Sequence, residues 1–357
     1  MESNSISAIV TDPPYGLGFM GKDWDAGLPH ADIWAEVLRI AKPGAFLLAF
    51  GGTRTYHRLT CAIEDAGWEI RDCLSWNYGS GFPKSHNNFG IPGYGTALKP
   101  AWEPIILCMK PCDGTFAQNA EKWGQAGINI DASRIPTDDL KAYSPGLHRG
   151  SLNDDGWVGK DEIKTAPKGR WPANVMFDAE AAAMLDEQSG TLTSGRLDRS
   201  KITAQNKTYG NRPEEMCGIH DSSSGGASRF FYCAKTSSRE RNGGLDGLPD
   251  IVGKRTQDGG DDTRGRPVPV NKNNHPTVKP LKLMEYLIKL VMPPKDGVLL
   301  DPFAGSGSTI LAAKRLGFNA IGIEKQKEYA EIAKARIESL NIPKNRETDQ
   351  LELFPIK

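Results

Sequence analysis

The chain has 357 residues, 38% of them hydrophobic and 25% charged, with 44 Lys and Arg balancing 44 Asp and Glu. These figures exclude a disordered or fibrous chain and predict one large domain or two modest ones. No apolar run approaches the ~18–20 residues of a membrane span, the N-terminus lacks a basic-then-apolar signal, and the six cysteines form no CxxC pair, so a membrane segment, a zinc ribbon and a disulfide framework are excluded and a reducing cytoplasm is expected.

Taken in chain order, the segment from Met1 to Lys110 alternates strands with helices. Ala8-Ile9-Val10 is a short apolar strand halted by Asp12-Pro13-Pro14-Tyr15, because two prolines end a ladder. Ile33, Val37 and Ile40 have helical spacing, and Pro43-Gly44 punctuates before a strand from Ala45 to Phe50. A helix from His57 to Ala66 ends at Gly67, a strand follows from Trp68 to Trp76, and Ala101 to Met109 is apolar enough for burial on both faces. From Lys110 to about Lys272 the chain is rich in Gly, Ser, Asn, Asp and Pro. Its ordered islands are Arg170–Phe177 and Phe230–Lys235, with a helix expected from Asp178 to Gln188. Regularity returns with a helix from Pro280 to Met292, a strand at Val298–Leu300, a helix at Ser308–Leu316, a strand at Ala320–Ile323 and a final helix from Gln326 to Leu340. The expected organisation is therefore a core half at 1–112, an irregular region at 113–272, a second core half at 273–342 and a tail at 343–357. The fold class is α/β, a doubly wound and mostly parallel sheet.

Net neutrality hides a gradient. Residues 1–112 carry −2 and 113–195 carry −5, whereas 196–272 carry +4 and 273–357 carry +3. A neutral total therefore does not exclude a polyanionic partner.

Two segments carry chemistry. Asp301-Pro302-Phe303-Ala304-Gly305-Ser306-Gly307-Ser308 runs from strand through a glycine turn into a helix, where bare backbone and free N–H groups meet a ligand. Glu324 stands at the end of the next strand. That is where an α/β nucleotide site places an acceptor for ribose hydroxyls. No Gly-Lys-Ser/Thr follows, which excludes a P-loop. At the other segment, two prolines fix the backbone so that the Asp12 carboxylate and the Pro13 carbonyl face one point as rigid acceptors. Tyr15 adds a flat platform. Two acceptors beside a stacking face match an exocyclic amino group on a nucleobase.

Together these motifs resemble the amino-group DNA methyltransferases, in the order of their beta subgroup: catalytic tetrapeptide, target-recognition region, cofactor loop. His275-Pro276-Thr277-Val278-Lys279-Pro280 is similar to that family's cofactor segment, and Ala101-Trp102-Glu103-Pro104-Ile105 to a segment on its catalytic side. The likeness covers roughly residues 6–112 and 273–340, and phage and prophage enzymes are the nearest impression. It implies the adenosylmethionine-dependent methyltransferase fold with an inserted recognition region, S-adenosylmethionine as cofactor, and duplex DNA as partner. Asp12, Pro13, Pro14 and Tyr15 are then catalytic. Asp301, Phe303, Ala304, Gly305, Ser306, Gly307, Ser308, Glu324, His275, Thr277 and Lys279 are then cofactor-binding. Family members usually carry a Gly-Asp strand and helix well upstream of the tetrapeptide. Only Met1 to Thr11 precede Asp12, so an incomplete adenine end of the pocket is expected.

The resemblance further implies that the target base leaves the duplex, that Asp12 and the Pro13 carbonyl accept its amino hydrogens, and that Tyr15 stacks on it. Transfer is a direct displacement without a covalent enzyme intermediate. An Asp at the first tetrapeptide position favours adenine N6 over cytosine N4, and counts against a glutamine-methylating enzyme, where Asn is expected. A catalytically idle DNA-binding relative is the alternative from another class. Pro111-Cys112 lies before the glycine loop, which argues against the cysteine of carbon-5 cytosine enzymes. Cys108 and Cys112 have no second His or Cys pair, so no metal is expected.

Basic residues among Thr, Asn and Gln (Arg196, Arg199, Lys201, Lys207 and Arg212, then Arg229, Lys235, Arg239 and Arg241) are the expected DNA contacts. The tail Gln350-Leu351-Glu352-Leu353-Phe354 resembles the peptide that docks bacterial replication proteins on the sliding clamp, through Gln350, Leu351, Leu353 and Phe354. Self-association into a homodimer is left open. The expected setting is a bacterial or phage-infected cytoplasm, with a role in restriction-modification.

Overall fold

A computed structural model describes residues 1–18, 23–81, 85–86, 90–137, 140–142, 169–193, 219–221, 223–234, 251–252, 270–271, 278–294, 296–340 and 352–355. The chain divides into two compact units. One comprises Met1–Ser133, Asn174–Ala181 and Cys233–Lys357; the other comprises Arg134–Ala173 and Ala182–Tyr232.

From the N-terminus the elements are β1 (Ile6–Thr11), α1 (Ala31–Ile40), β2 (Ala41–Phe50), α2 (Tyr56–Asp65), β3 (Glu69–Asn77), β4 (Trp102–Met109) and α3 (Phe116–Trp123). Short elements follow: β5 (Leu140–Ala142), β6 (Val175–Asp178), α4 (Ala179–Ser189), β7 (Leu192–Thr193), β8 (Ile219–Asp221), β9 (Ser224–Gly225), β10 (Tyr232–Ala234), β11 (Ile251–Val252) and β12 (Val270–Asn271). The last part holds α5 (Leu281–Val291), β13 (Val298–Asp301), α6 (Ser308–Leu316), β14 (Asn319–Glu324), α7 (Lys327–Glu338) and β15 (Glu352–Pro355).

Nine strands form one sheet in the order β10-β6-β3-β4-β2-β1-β13-β14-β15. The centre is parallel, with β1 between β2 and β13 and with β14 and β15 extending the run. This is the expected α/β sheet, with one departure: β4 runs antiparallel to both β2 and β3. Strands β3 and β4 are joined by residues 78–101 with no crossover helix among those described, and a chain that returns without one enters antiparallel. Ile9, Leu47, Ile106, Cys108 and Leu300 from the central strands are buried against Trp34 and Val37 of α1 and Leu59 and Ile63 of α2. A strand covered on both faces reads as a continuous apolar run, and this is why the sequence shows no alternation there.

Two local expectations are corrected. Strand β2 begins at Ala41, ahead of the Pro43-Gly44 pair that was expected to precede it. Gly44 takes φ +75° and donates its N–H to the Lys110 carbonyl at 3.0 Å, so the pair is absorbed as a local irregularity, and the β1–β2 register shifts beside it. Helix α3 lies where the sequence reads as irregular. Its N-terminus is a capping box between Thr115 and Gln118, and Gly124 closes it at φ +75°.

In the second unit β5 pairs with β8 and β7 with β9, all antiparallel, and Ile135 bridges Arg170. At the far edge of the large sheet, Gly322 is paired with Leu353 and Ile323 with Phe354. The backbone of this tail is thus a strand of the sheet, which lends nothing to clamp docking; Gln350 and Leu351 lie outside the described residues. No described helix is long and apolar enough to cross a membrane.

Candidate active site

Strands β1 and β13 are neighbours, and the chain leaves them in opposite directions. One continues through α1 to β2, the other through α6 to β14. Loops at the carboxyl ends of such a pair diverge and leave a crevice. The two strand ends are tied by a buried hydrogen bond, Thr11 Oγ1 donating to Asp301 Oδ1 at 2.7 Å. A cavity of about 1460 Å³ opens beside this tie, lined by Asp12 to Tyr15 on one side and by Asp301 to Ser306, Glu324 and Tyr329 on the other. Sites for a single small ligand span roughly 300–1,000 Å³, so this space admits a cofactor and a base together.

On the first side, Tyr15 OH donates to Asp12 Oδ1 at 2.7 Å. The Lys279 ammonium enters from the segment before α5, 2.6 Å from Glu103 Oε2, 3.1 Å from Tyr15 OH and 3.4 Å from Asp12 Oδ1. It also lies 4.6 Å from the centre of the Phe50 ring. Two acids, a phenol and one cation therefore share a pocket in which Lys279 is 10% exposed and Asp12 19%. Burial raises the Asp12 pKa; the Lys279 charge pulls it back and Glu103 pushes it further up. Burial opposes the charge of Lys279, but Asp12 and Glu103 outweigh it and hold the ammonium firmly protonated. Burial and the Asp12 and Glu103 charges likewise push the Tyr15 phenol well up, so it stays a donor. Burial with Glu103 pushes nearby Tyr78 up to about 12.

The backbone after Tyr15 is held by one carboxylate. Asp25, 2% exposed, accepts from the N–H of Tyr15 at 2.7 Å, Gly16 at 2.9 Å and Leu17 at 3.2 Å. Thr55 Oγ1 donates to the Tyr15 carbonyl at 2.7 Å. The tetrapeptide is thus fixed at its exit as well as by its prolines.

On the second side, Gly305 and Gly307 take φ +53° and +78°. A Cβ on Gly307 would sit 2.8 Å from that of Ala333 in α7, so the turn packs tightly on that helix. Arg336, 1% exposed, lies beneath and donates to the Ser306 carbonyl at 2.6 Å and to the hydroxyls of Ser306 at 3.1 Å and Ser308 at 3.2 Å. The Glu324 carboxylate accepts from Gly305 N–H at 2.7 Å and Gln326 N–H at 2.7 Å. Asp301 accepts from Phe303 N–H as well as Thr11, and burial raises it to about 6. Phe303 faces Trp34, with ring centres 6.1 Å apart.

The structure therefore brings Asp12, Pro13, Pro14, Tyr15, Asp301, Phe303, Ala304, Gly305, Ser306, Ser308 and Glu324 to one cavity. Gly307 serves the turn from behind. Lys279, expected beside the cofactor, sits between Asp12 of the tetrapeptide and Glu103 of β4. His275 and Thr277 lie outside the described residues, as do Arg196, Arg199, Lys201, Arg212, Lys235, Arg239 and Arg241. Arg229 is described, and its guanidinium is engaged within its own unit. It donates to the Gly225 and Gly226 carbonyls at 2.6 and 2.8 Å and to Ser223 Oγ at 3.0 Å, and it stacks 4.2 Å over Phe230. Sequence reasoning missed Asp25, Thr11 and Arg336 as parts of this site, and carried Glu103 only within a segment similar to the family's catalytic side. Glu103 had a signal, a single charge in an otherwise apolar strand. Asp25 and Arg336 had none, since their partners, backbone groups and for Arg336 also the Ser306 and Ser308 hydroxyls, are brought near only by the fold.

The profile of the DNA methylase family that includes N6 and N4 enzymes matches residues 6–335. The chain belongs to this family. As such it is a DNA methyltransferase, and its cofactor is S-adenosylmethionine. Type II methyltransferase M.HindIII of Haemophilus influenzae is 24% identical over 388 residues, covering 97% of this chain and 92% of that protein. Type II methyltransferase M.HpaI of Haemophilus parainfluenzae is 44% identical over 350 residues, covering 95% and 70% respectively. The similarity to M2.DpnII of Streptococcus pneumoniae, 49% over 67 residues, is local and covers 19% of this chain and 25% of that protein. Among solved structures, M1.HpyAVI is 15% identical with a TM-score of 0.41, covering 95% of this chain and 89% of its own. PvuII DNA methyltransferase, described as cytosine-N4-specific, is 14% identical with a TM-score of 0.45, covering 96% and 83%.

The cavity fits the family's cofactor in its donor set. Bare backbone at Gly305, a carboxylate at Glu324 of the kind that accepts ribose hydroxyls, and the aromatic faces of Phe303 and Tyr329 border one space.

Proposed function

We propose that this chain methylates adenine at N6 within a specific duplex sequence. The observation that carries the reading is the Asp12 carboxylate, fixed in a stiff turn and partly desolvated beside Tyr15 and Lys279. A rigid anionic acceptor next to an aromatic face matches an amino group on an extruded base. Asp12 and the Pro13 carbonyl accept the two amino hydrogens and orient the nitrogen lone pair. The bound cofactor supplies an electrophilic sulfonium methyl. Residues Gly305, Glu324 and Phe303 hold that cofactor so that the two reactants are aligned, which accounts for much of the rate gain in a displacement. The proton shed by the methylated nitrogen passes to Asp12, the nearest acceptor, whose pKa burial has raised. Tyr15 supplies a stacking face worth about 1–3 kcal/mol, a part of the extrusion cost. Recognition residues reside in the 113–272 region, and the modest basic excess of 196–272 predicts salt-sensitive but weak nonspecific binding.

Nucleoside mass spectrometry of DNA from a methylation-deficient bacterium expressing the chain tests this. N6-methyladenine is the expected product. N4-methylcytosine would transfer the same geometry to the other base, and no modified base at all would refute the enzyme reading.

A further inference from the structure

The loop between β3 and β4 is closed at its neck, where Tyr78 N–H donates to the Ala101 carbonyl at 2.9 Å and Gly81 lies so near the Pro100 carbonyl that a Cβ there would collide with it. Higher up it is cross-braced by two reciprocal hydrogen bonds, His86 N–H to Thr96 Oγ1 at 2.8 Å and Thr96 N–H to Ser85 Oγ at 2.9 Å. Beyond the brace, Gly90 and Gly93 turn the backbone at φ +80° and +81°. The described residues 78–81, 85–86 and 90–101 thus form a braced finger.

Its surface is unusual in two respects. Large apolar side chains point into solvent: Leu98 is 92% exposed, Tyr94 64% and Ile91 51%, with Trp102 at the base 37% exposed. Large apolar side chains left uncovered in one short stretch mark a contact surface. The stretch also carries no acid. The chain has 44 Asp and Glu, yet none falls between Cys73 and Trp102, whereas Lys84, His86 and Lys99 are basic. A surface for a protein partner of mixed charge or for a second copy has no reason to exclude acids so completely; a polyanion does. Finally, Thr96 to Trp102 line the mouth of the catalytic cavity together with Asp12 and Tyr15.

We propose that this finger is the duplex-facing edge of the active site, and that Leu98 enters the base stack at the position the target nucleotide leaves. The proposal rests on the reading that the cavity acts on an extruded base, and it adds the element that holds the vacated stack open. Apolar wedges between base steps offset part of an unstacking cost of a few kcal/mol, and the neck and brace supply the stiffness a wedge needs.

The test uses the full chain, after its target sequence has been mapped by sequencing methylated DNA. Methylation of two duplexes is compared, one fully paired and one with an abasic site opposite the target base, where extrusion costs little. Leu98→Ala is expected to lower kcat/KM on the paired duplex by roughly tenfold or more, and on the abasic duplex by less than about threefold. Leu98→Phe is expected to retain most activity on both. An equal loss on the two duplexes would show a loop-packing role and overturn the proposal, as would no loss on either. An unaltered chain that marks neither duplex overturns the methyltransferase reading as well, and that outcome is distinct from an equal Leu98 effect.

Discussion

Replacing Lys279 by Met removes the one cation described in the catalytic cluster and leaves its bulk. The ammonium lies 3.4 Å from Asp12 Oδ1. At an effective dielectric of about 20 that separation corresponds to about 5 kcal/mol of attraction favouring the ionised carboxylate. Water entering the open cavity compensates part of it, and about 2–3 kcal/mol survives, or roughly 30- to 160-fold in the Asp12 ionisation constant. Burial already raises Asp12, and the neighbouring Glu103 pushes the same way once its own partner is gone. Tyr15, Tyr78 and Asp301 are the other titratable groups near it, and none supplies a positive charge. The sign follows: less Asp12 is ionised at neutral pH, and it is regained as pH rises. The single-turnover rate of Lys279→Met should therefore fall near neutrality and recover as pH rises. Lys279→Arg should keep a flat profile. A Lys279→Met enzyme with the unaltered profile, or one depressed equally at every pH, would refute the electrostatic role.

Other substitutions probe the rest of the site. Gly307→Ala imposes a Cβ at φ +78° that meets Ala333 at 2.8 Å; urea unfolding should show a loss of about 2 kcal/mol or more, with weakened cofactor binding by calorimetry. Asp25→Ala frees three N–H groups behind the tetrapeptide, so kcat should fall at least about tenfold while cofactor affinity holds; equal affinity and equal kcat would contradict it. Asp301 is raised to about 6 from 3.8, so its ionisation opposes folding, a cost absent below the ordinary value and complete above about 6. Asp301→Asn should therefore gain stability relative to the parent, by up to about 3 kcal/mol, between pH 4 and pH 8; a pH-independent difference would contradict this. Arg229→Ala should destabilise the second unit by about 1–3 kcal/mol in denaturant melts without reducing the salt slope of DNA binding by a full phosphate contact.

The sequence made the core legible wherever burial imposed a simple pattern. The strands at Ile6–Thr11, Val298–Asp301 and Asn319–Glu324 are apolar runs bounded by prolines or glycines, and the helix Ser308–Leu316 starts at its glycine turn. Pro43-Gly44 misled because a punctuating pair was accommodated inside a strand by positive φ and a hydrogen bond from across the sheet. Helix α3 was hidden by polar composition, although its Thr115-x-x-Gln118 box and Gly124 stop were there to read. The tetrapeptide and glycine loop were visible as local motifs. The ion cluster joining Asp12 to Glu103 and Lys279 was not, since it unites three distant parts of the chain. Arg229 read as a free cation because its three acceptors are created only by the turn it sits in.

Incubation of unmethylated duplex DNA with the chain and S-adenosylmethionine bearing a deuterated methyl, followed by nucleoside mass spectrometry, addresses the central claim most directly. The account predicts trideuterated N6-methyladenine from the unaltered chain and none from Asp12→Ala. A deuterated mark that persists in Asp12→Ala, or label found on cytosine and not on adenine, would contradict it.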